Sequence, residues 1–304
     1  MTHRAACCLF LLLSVVGFSG AKVATAADGA GARAVTVPAT LSGTWTGKAK
    51  AATYLNTTTN PTAKDTPKST NVQFTAVFSQ SGTSLTMQAT FTVAAKNQPT
   101  QTLIGVLNGV YGNGNFWVIG VTSNANQSQT VVLTGHATSK GISGVGIVFN
   151  SDNDNEIKYA LKPQTTAGQI AADASHVTSL CGNLALALTR ASAPVTVSGK
   201  AGGKGFSLAD TSKALPFVSA VTGTITTGDT TASALLTLSD GTGSETYTLN
   251  GPNYGKTFVL FGPNSGATQQ AIFSIHAGTN SAKGIGIVYG QTGLIELKLG
   301  LKKQ

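Results

Sequence analysis

Charge is what this sequence has least of. Only 10% of its 304 residues are Asp, Glu, Lys or Arg, against roughly 25% in an ordinary soluble domain. Acids are the scarcer sign, 11 against 20 bases, for a formal net charge of +9. So few carboxylates, most of them in expected turns, argue against a glycosidase, which needs two flanking one cleft. The bases are scattered, without a run of five or six and without interleaved aromatics, which argues against a dedicated nucleic-acid surface. Long apolar runs are missing too. Past the leader, nothing approaches the roughly 20 residues of a membrane-spanning helix. Aromatics are 7% of the chain, too few for the girdles of an outer-membrane barrel.

Cysteine is nearly absent. Cys7 and Cys8 precede an apolar leader, so Cys181 stands alone in the remaining chain and no intrachain disulfide can form. The fold must be held by packing. Cys181 reads as a small buried residue rather than a reactive thiol or an interchain bridge. His136, His176 and His276 are too few and too dispersed for a zinc site, so neither a metal nor another cofactor is expected. No Gly-x-Ser-x-Gly run is present for an α/β-type hydrolase. Gly255-Lys256-Thr257 ends like a phosphate loop, but Asn250 stands where that motif needs Gly, and a strand pattern follows.

What the chain does have is a duplication. Val131–Gln164 lies on Ala271–Gln304 at an offset of 140 without a gap. His136-Ala137 meets His276-Ala277, and Gly144–Phe149 meets Gly284–Tyr289. Glu156, Lys158 and Lys162 meet Glu296, Lys298 and Lys302. Upstream, Leu107-Asn108-Gly109 matches Leu249-Asn250-Gly251 at an offset of 142. A period this long marks a doubled domain rather than a solenoid, whose repeats run roughly 20–50 residues.

Met1–Ala26 reads as a secretory signal, with Arg4 in the n-region, Leu9–Phe18 as the apolar segment and Ala24-Thr25-Ala26 as the cleavage site. Residues 27–40 are a flexible lead-in. Residues 41–164 form repeat one, 165–194 the linker and 195–304 repeat two. Within each repeat, apolar residues alternate with polar ones in short runs. Val72, Phe74, Ala76 and Phe78 answer Leu85, Met87, Ala89 and Phe91 across the Ser81-Gly82-Thr83 turn, which is a hairpin. Gly112-Asn113-Gly114-Asn115 is a second tight turn, since Asn-Gly suits positive φ. Asp152, Asp154 and Glu156 alternate in a further turn without the pattern of a calcium loop. In the linker, Thr166–Ser179 reads as a short helix and Leu184–Leu188 as an extra strand. The fold expected is all-β: two tandem homologous antiparallel meander domains of about eight strands each, closed barrels or small sandwiches.

Gly43-Thr44-Trp45 at the head of such a meander resembles the first strand of the calycin barrels, the lipocalin and avidin-like families. The resemblance implies that Trp45 closes one barrel end and that a ligand cavity opens at the other. Repeat two departs from it, with Gly199-Lys200-Ala201 in the corresponding region. In calycin-like barrels the loop after the first strand overhangs the mouth, here the long Thr/Asn/Pro-rich stretch Tyr54–Thr70. There Tyr54 and Asn56 would stack on and hydrogen-bond a ligand, while Lys64 and Lys68 would draw anionic groups. The alternative is a solvated insertion. Lys158 and Lys162, then Lys298 and Lys302, share one face of each repeat's last strand. They present either an anionic-ligand surface or the protection of an exposed edge strand. His136 and His276 read as strand residues satisfied by a neighbouring strand. The functional expectation is a secreted, periplasmic or cell-surface non-catalytic protein that binds a small molecule or anionic glycan. A structural envelope role without ligand, or an enzyme whose site the sequence does not reveal, are the alternatives.

Overall fold

The computed structural model describes residues 38, 40–58, 66–94, 100–164, 192–209 and 214–304. The linker helix and strand, Cys181 and Lys64 lie outside the described residues. The first barrel runs through β1 (Gly43–Leu55), β2 (Lys68–Ser81), β3 (Ser84–Val93), β4 (Gln101–Gly112), β5 (Asn115–Ser123), β6 (Ser128–Thr138), β7 (Gly141–Phe149) and β8 (Asn153–Pro163). The second runs through β9 (Val195–Ser207), β10 (Leu215–Thr227), β11 (Thr231–Ser239), β12 (Ser244–Pro252), β13 (Thr257–Pro263), β14 (Gln269–Ala277), β15 (Ser281–Gly290) and β16 (Gly293–Lys303). Each strand pairs antiparallel with the next, β8 closes on β1 and β16 closes on β9. Both sheets are closed barrels rather than sandwiches, and no described residue is helical.

Closure corrects one expectation. β8 and β16 are paired on both sides, so their lysines do not guard an edge. A closed barrel has no edge to guard. The alternation does predict which side chains enter the barrels. Phe74, Ala76, Phe78, Leu85, Met87 and Ala89 are all buried inside the first. At the β4–β5 turn, Asn113 (φ 51°) and Gly114 (φ 79°) take the two positive dihedrals expected of Asn-Gly.

The barrel ends are set early in β1. Trp45 is buried, and its Nε1 donates to the carbonyl of Leu41 at 3.1 Å, with Leu41 itself fully buried. By strand register the counterpart of Trp45 in the second barrel is Val197, and that of Gly47 is Gly199. The glycines of the two β1-type strands are therefore offset from the alignment suggested by Gly43 alone.

A third core lies between the barrels. Val132, Ile147 and Phe149 of the first pack with Val259, Ile272, Ile287, Tyr289 and Leu294 of the second. These are outward-facing positions, so β6, β7, β14 and β15 are buried on both faces along part of their length. The seam is reciprocal. His136 Nε2 lies 2.9 Å from Glu296 Oε1, and His276 Nε2 lies 2.8 Å from Glu156 Oε1. The paired residues are repeat equivalents, so a pseudo-twofold axis relates the barrels, as in an isologous dimer.

Candidate ligand-binding site

The described residues at the end of the first barrel opposite Trp45 line a hollow. A cavity of about 220 Å³ lies there, floored by Ala49, Ala51, Val72, Phe91, Leu103 and Ile157. Its rim carries Thr53, Thr70, Gln101, Gln127, Gln129, Asn153 and Asn155. Alternation puts these side chains inside: Ala49, Ala51 and Thr53 are successive inward positions of β1. Alanines at two of these positions keep the floor side chains small. Among the described residues that line it, the rim carries amides and hydroxyls and is partly organised. Thr53 Oγ1 donates to Asn155 Oδ1 at 2.7 Å, while Asn155 Nδ2 reaches the Val148 carbonyl at 3.1 Å. Gln127 Nε2 sits 3.4 Å from Gln101 Oε1. Apolar walls below and amide groups above suit a neutral molecule with an apolar body and a few hydroxyl or carbonyl groups. An eight-stranded barrel has room for one such ligand where its side chains do not fill it.

The second barrel carries larger side chains at three of the corresponding places, although Ala201 and Gly203 stand where the first has Ala49 and Ala51. Register puts Phe217 where the first has Thr70, Ile295 where it has Asn155, and Tyr247 where it has Gly105. Tyr247 is buried, and its hydroxyl donates to Gln269 Oε1 at 2.7 Å. Burial, then the nearby Glu245 charge, push that phenol well above its ordinary range.

The residues singled out in the sequence fall in three places. Tyr54 lies within β1 rather than in a loop, and its ring stacks on His276 of the other barrel at a centroid distance of 3.8 Å. Burial, with Glu156 and Asp154 beside it, raises the Tyr54 phenol to about 12. Asn56 is buried and donates to the Ser151 carbonyl at 2.8 Å, while its Oδ1 accepts from Thr58 N at 3.0 Å. Thr57 next reaches across the seam, its amide 3.0 Å from the Tyr254 carbonyl. Lys68 is exposed at the start of β2, paired with Thr53 on the cavity rim. Lys158, Lys162, Lys298 and Lys302 are exposed on the barrels' outer faces, away from the cavity.

The seam holds the chemistry that the sequence placed elsewhere. Asp154 was expected in a turn, yet it lies on β8, fully buried against the second barrel. It accepts a hydrogen bond from Ser274 Oγ, and its Oδ1 has no partner. Burial pushes its carboxyl up to about 7; the Ser274 hydrogen bond opposes that and the Glu156 charge adds to it. On the other limb, burial of Glu296 acts upward, but hydrogen bonds from His136 and Thr134 and the charges of His136 and Lys204 outweigh it. The Glu296 carboxyl ends below its usual range. His136 Nδ1 meets Asn115 Oδ1 at 2.9 Å and its ring stacks on Phe206 at 3.9 Å. Ser274, His276 and Glu156 look like a hydrolytic triad by composition, but not by geometry. Ser274 and Glu156 approach the same nitrogen, Nε2, at 3.5 and 2.8 Å, while Nδ1 faces Thr257 at 3.0 Å. A triad needs nucleophile and acid on opposite ring nitrogens, and Ser274 is sealed from solvent. The seam is a clasp. One sequence signal pointed to it: Val131-Val132-Leu133 and Ile147-Val148-Phe149 are apolar at both parities, as strands covered on both faces must be.

No protein-family model and no curated protein matches the sequence. Among solved structures, the isotype 1 transferrin binding protein B of serogroup B Neisseria meningitidis shares 9% identity over 86% of this chain and 76% of its own, at a TM-score of 0.29. A mutant Rh. blastica porin shares 8% over 86% of this chain and 99% of its own, at a TM-score of 0.19. At such TM-scores neither likeness carries an argument about this chain.

Proposed function

We propose that this chain is a secreted, non-catalytic binding protein that takes one small neutral molecule into the open mouth of its first barrel. The observation that carries the reading is the asymmetry between the repeats. The same fold lines a cavity in the first barrel and sets the larger side chains of Tyr247, Phe217 and Ile295 at the register positions of Gly105, Thr70 and Asn155 in the second. Duplication leaves one copy free to bind and the other free to brace it. Export rests on the Met1–Ala26 leader. The exported protein should begin near Ala27 or Asp28, as intact-mass measurement would read.

The test uses the full chain. Native mass spectrometry of protein exported by its host, followed by solvent extraction, should yield a co-purifying small molecule at no more than one per chain. Ala51→Phe fills the cavity floor and should abolish its retention while the melting temperature holds. Equal retention by Ala51→Phe, with the barrel still folded, overturns the reading. A chain that carries and binds nothing from host extracts points instead to a structural surface role.

A further inference from the structure

The strand register builds a lysine cross on the outside of the second barrel. Gly300 of β16 pairs with Lys200 of β9 on one side and Lys283 of β15 on the other. Lys298 and Lys302 stand two residues away along β16, on the same outward face. Strand spacing of about 4.8 Å and a two-residue rise of about 7 Å place all four lysines around one glycine. All four are exposed, and among the described residues none has an acidic partner. Glu296, the next outward residue along β16, is committed to His136.

Four like charges on rigid neighbouring strands repel one another unless something negative lies between them. The space for it is present. A Cβ added at Gly300 would meet nothing within 4 Å. From there an open hollow of about 540 Å³ extends over Ser198, Lys200, Ala220 and Thr222. The first barrel repeats much of the pattern. Ala160 pairs with Lys48 and with Ser143, and Lys158 and Lys162 flank it along β8. Lys48, Lys158 and Lys162 are the register counterparts of Lys200, Lys298 and Lys302.

We propose that these lysine faces, with Gly300 at the centre of the stronger one, bind a linear acidic polysaccharide. Charge complementarity selects a polyanion, and the occurrence of the face on both barrels selects an extended one with repeated anionic groups. Ser198, Thr222 and Ser143 supply short hydroxyl partners for sugar. No aromatic ring among the described residues of the cross offers the stacking platform that single-stranded nucleic acid uses. This site is independent of the cavity in the first barrel.

The test is binding of the full exported chain to immobilised heparin and polygalacturonate, with neutral dextran as the uncharged comparison, across a salt series. The protein is expected to bind the two acidic polymers, not dextran, and to weaken steeply with salt because the lysines displace counterions condensed on the polyanion. Gly300→Glu puts a negative charge at the centre of the cross without a steric clash and should weaken binding roughly tenfold or more. Lys68→Ser makes the same change in net charge elsewhere and should stay within about twofold. Combined Lys200→Ser, Lys298→Ser and Lys302→Ser should remove most retention, with the thermal melt checking the fold. If Gly300→Glu weakens binding no more than Lys68→Ser, the face is not the site. Tighter binding to single-stranded DNA or to anionic vesicles than to either polysaccharide overturns the assigned partner. Ala51→Phe should leave heparin binding unchanged; loss of it there would tie both effects to the cavity.

Discussion

Asp154 and Leu294 occupy the same position in the two barrels, and both are sealed from solvent. One is an acid, the other a hydrocarbon. The Asp154 carboxyl, about 7 in the folded protein against 3.8 as a free side chain, is protonated more readily in the native state than in the unfolded one. Stability therefore falls as pH rises from the free value to the folded one, and is flat above it.

The first prediction follows from that pair. Asp154→Leu installs the second repeat's own residue and removes a buried oxygen without a partner. Above neutral pH it is expected to raise stability by up to about 4 kcal/mol, less strain from the larger side chain and less the hydrogen bond that buried Ser274 loses. Near pH 4 the gain should shrink toward zero. Urea midpoints of the two proteins between pH 4 and 8 measure this. A pH-independent difference would mean that Asp154 does not titrate as described.

Glu296 has the opposite sign. Its carboxyl is held below the free range in the native state, so its contribution is complete above that range and is lost as pH falls through the folded value. Glu296→Gln should cost about 1–3 kcal/mol at neutral pH and should flatten the acid limb of the stability curve. Trp117 is a convenient probe. Its Nε1 donates to Gly290 across the seam at 2.9 Å, and its ring packs on Tyr289. With Trp45→Phe in the background, its fluorescence should report the seam.

The reciprocity of the clasp makes a third prediction. Residues 38–164 expressed alone carry both His136 and Glu156, so two copies related by a twofold can restore both pairs. This excised barrel is expected to be a dimer by light scattering, and His136→Ala should shift it toward monomer. A monomer that unfolds cooperatively with its apolar face exposed would show that the seam needs the second repeat's own side chains.

Close approach at Gly112 gives a fourth. A Cβ there would sit 1.9 Å from the Leu208 carbonyl of the other barrel. Gly112→Ala must push the two apart and should cost about 1–3 kcal/mol. The Trp117 signal should change before the signal of the barrel cores. Gly82, unlike Gly112, sits at positive φ (58°), but a Cβ there meets nothing within 4 Å. Gly82→Ala should cost only its backbone strain and leave the seam intact.

The duplication, the all-β class, the strand order within each meander and the Asn113-Gly114 turn were legible in the residues themselves. Those features depend on local chemistry. Alternation reports which parity of a strand is covered, and a turn needing positive φ selects Asn and Gly. What covers the other parity is decided by docking, which no local pattern encodes. His136 and His276 read correctly as equivalent strand residues, but each is satisfied from the opposite repeat, by Glu296 and Glu156. Tyr54 looked like a loop residue because Thr and Asn follow it, yet β1 extends through it so that its ring can cover His276. Asp154 looked like turn chemistry because acids favour turns, and only the second barrel's arrival buries it. The lysine cross is of the same kind. Lys298 and Lys302 were visible as a pair along one strand, but Lys200 and Lys283 join them only when barrel closure and the β15–β16 register bring three strands side by side.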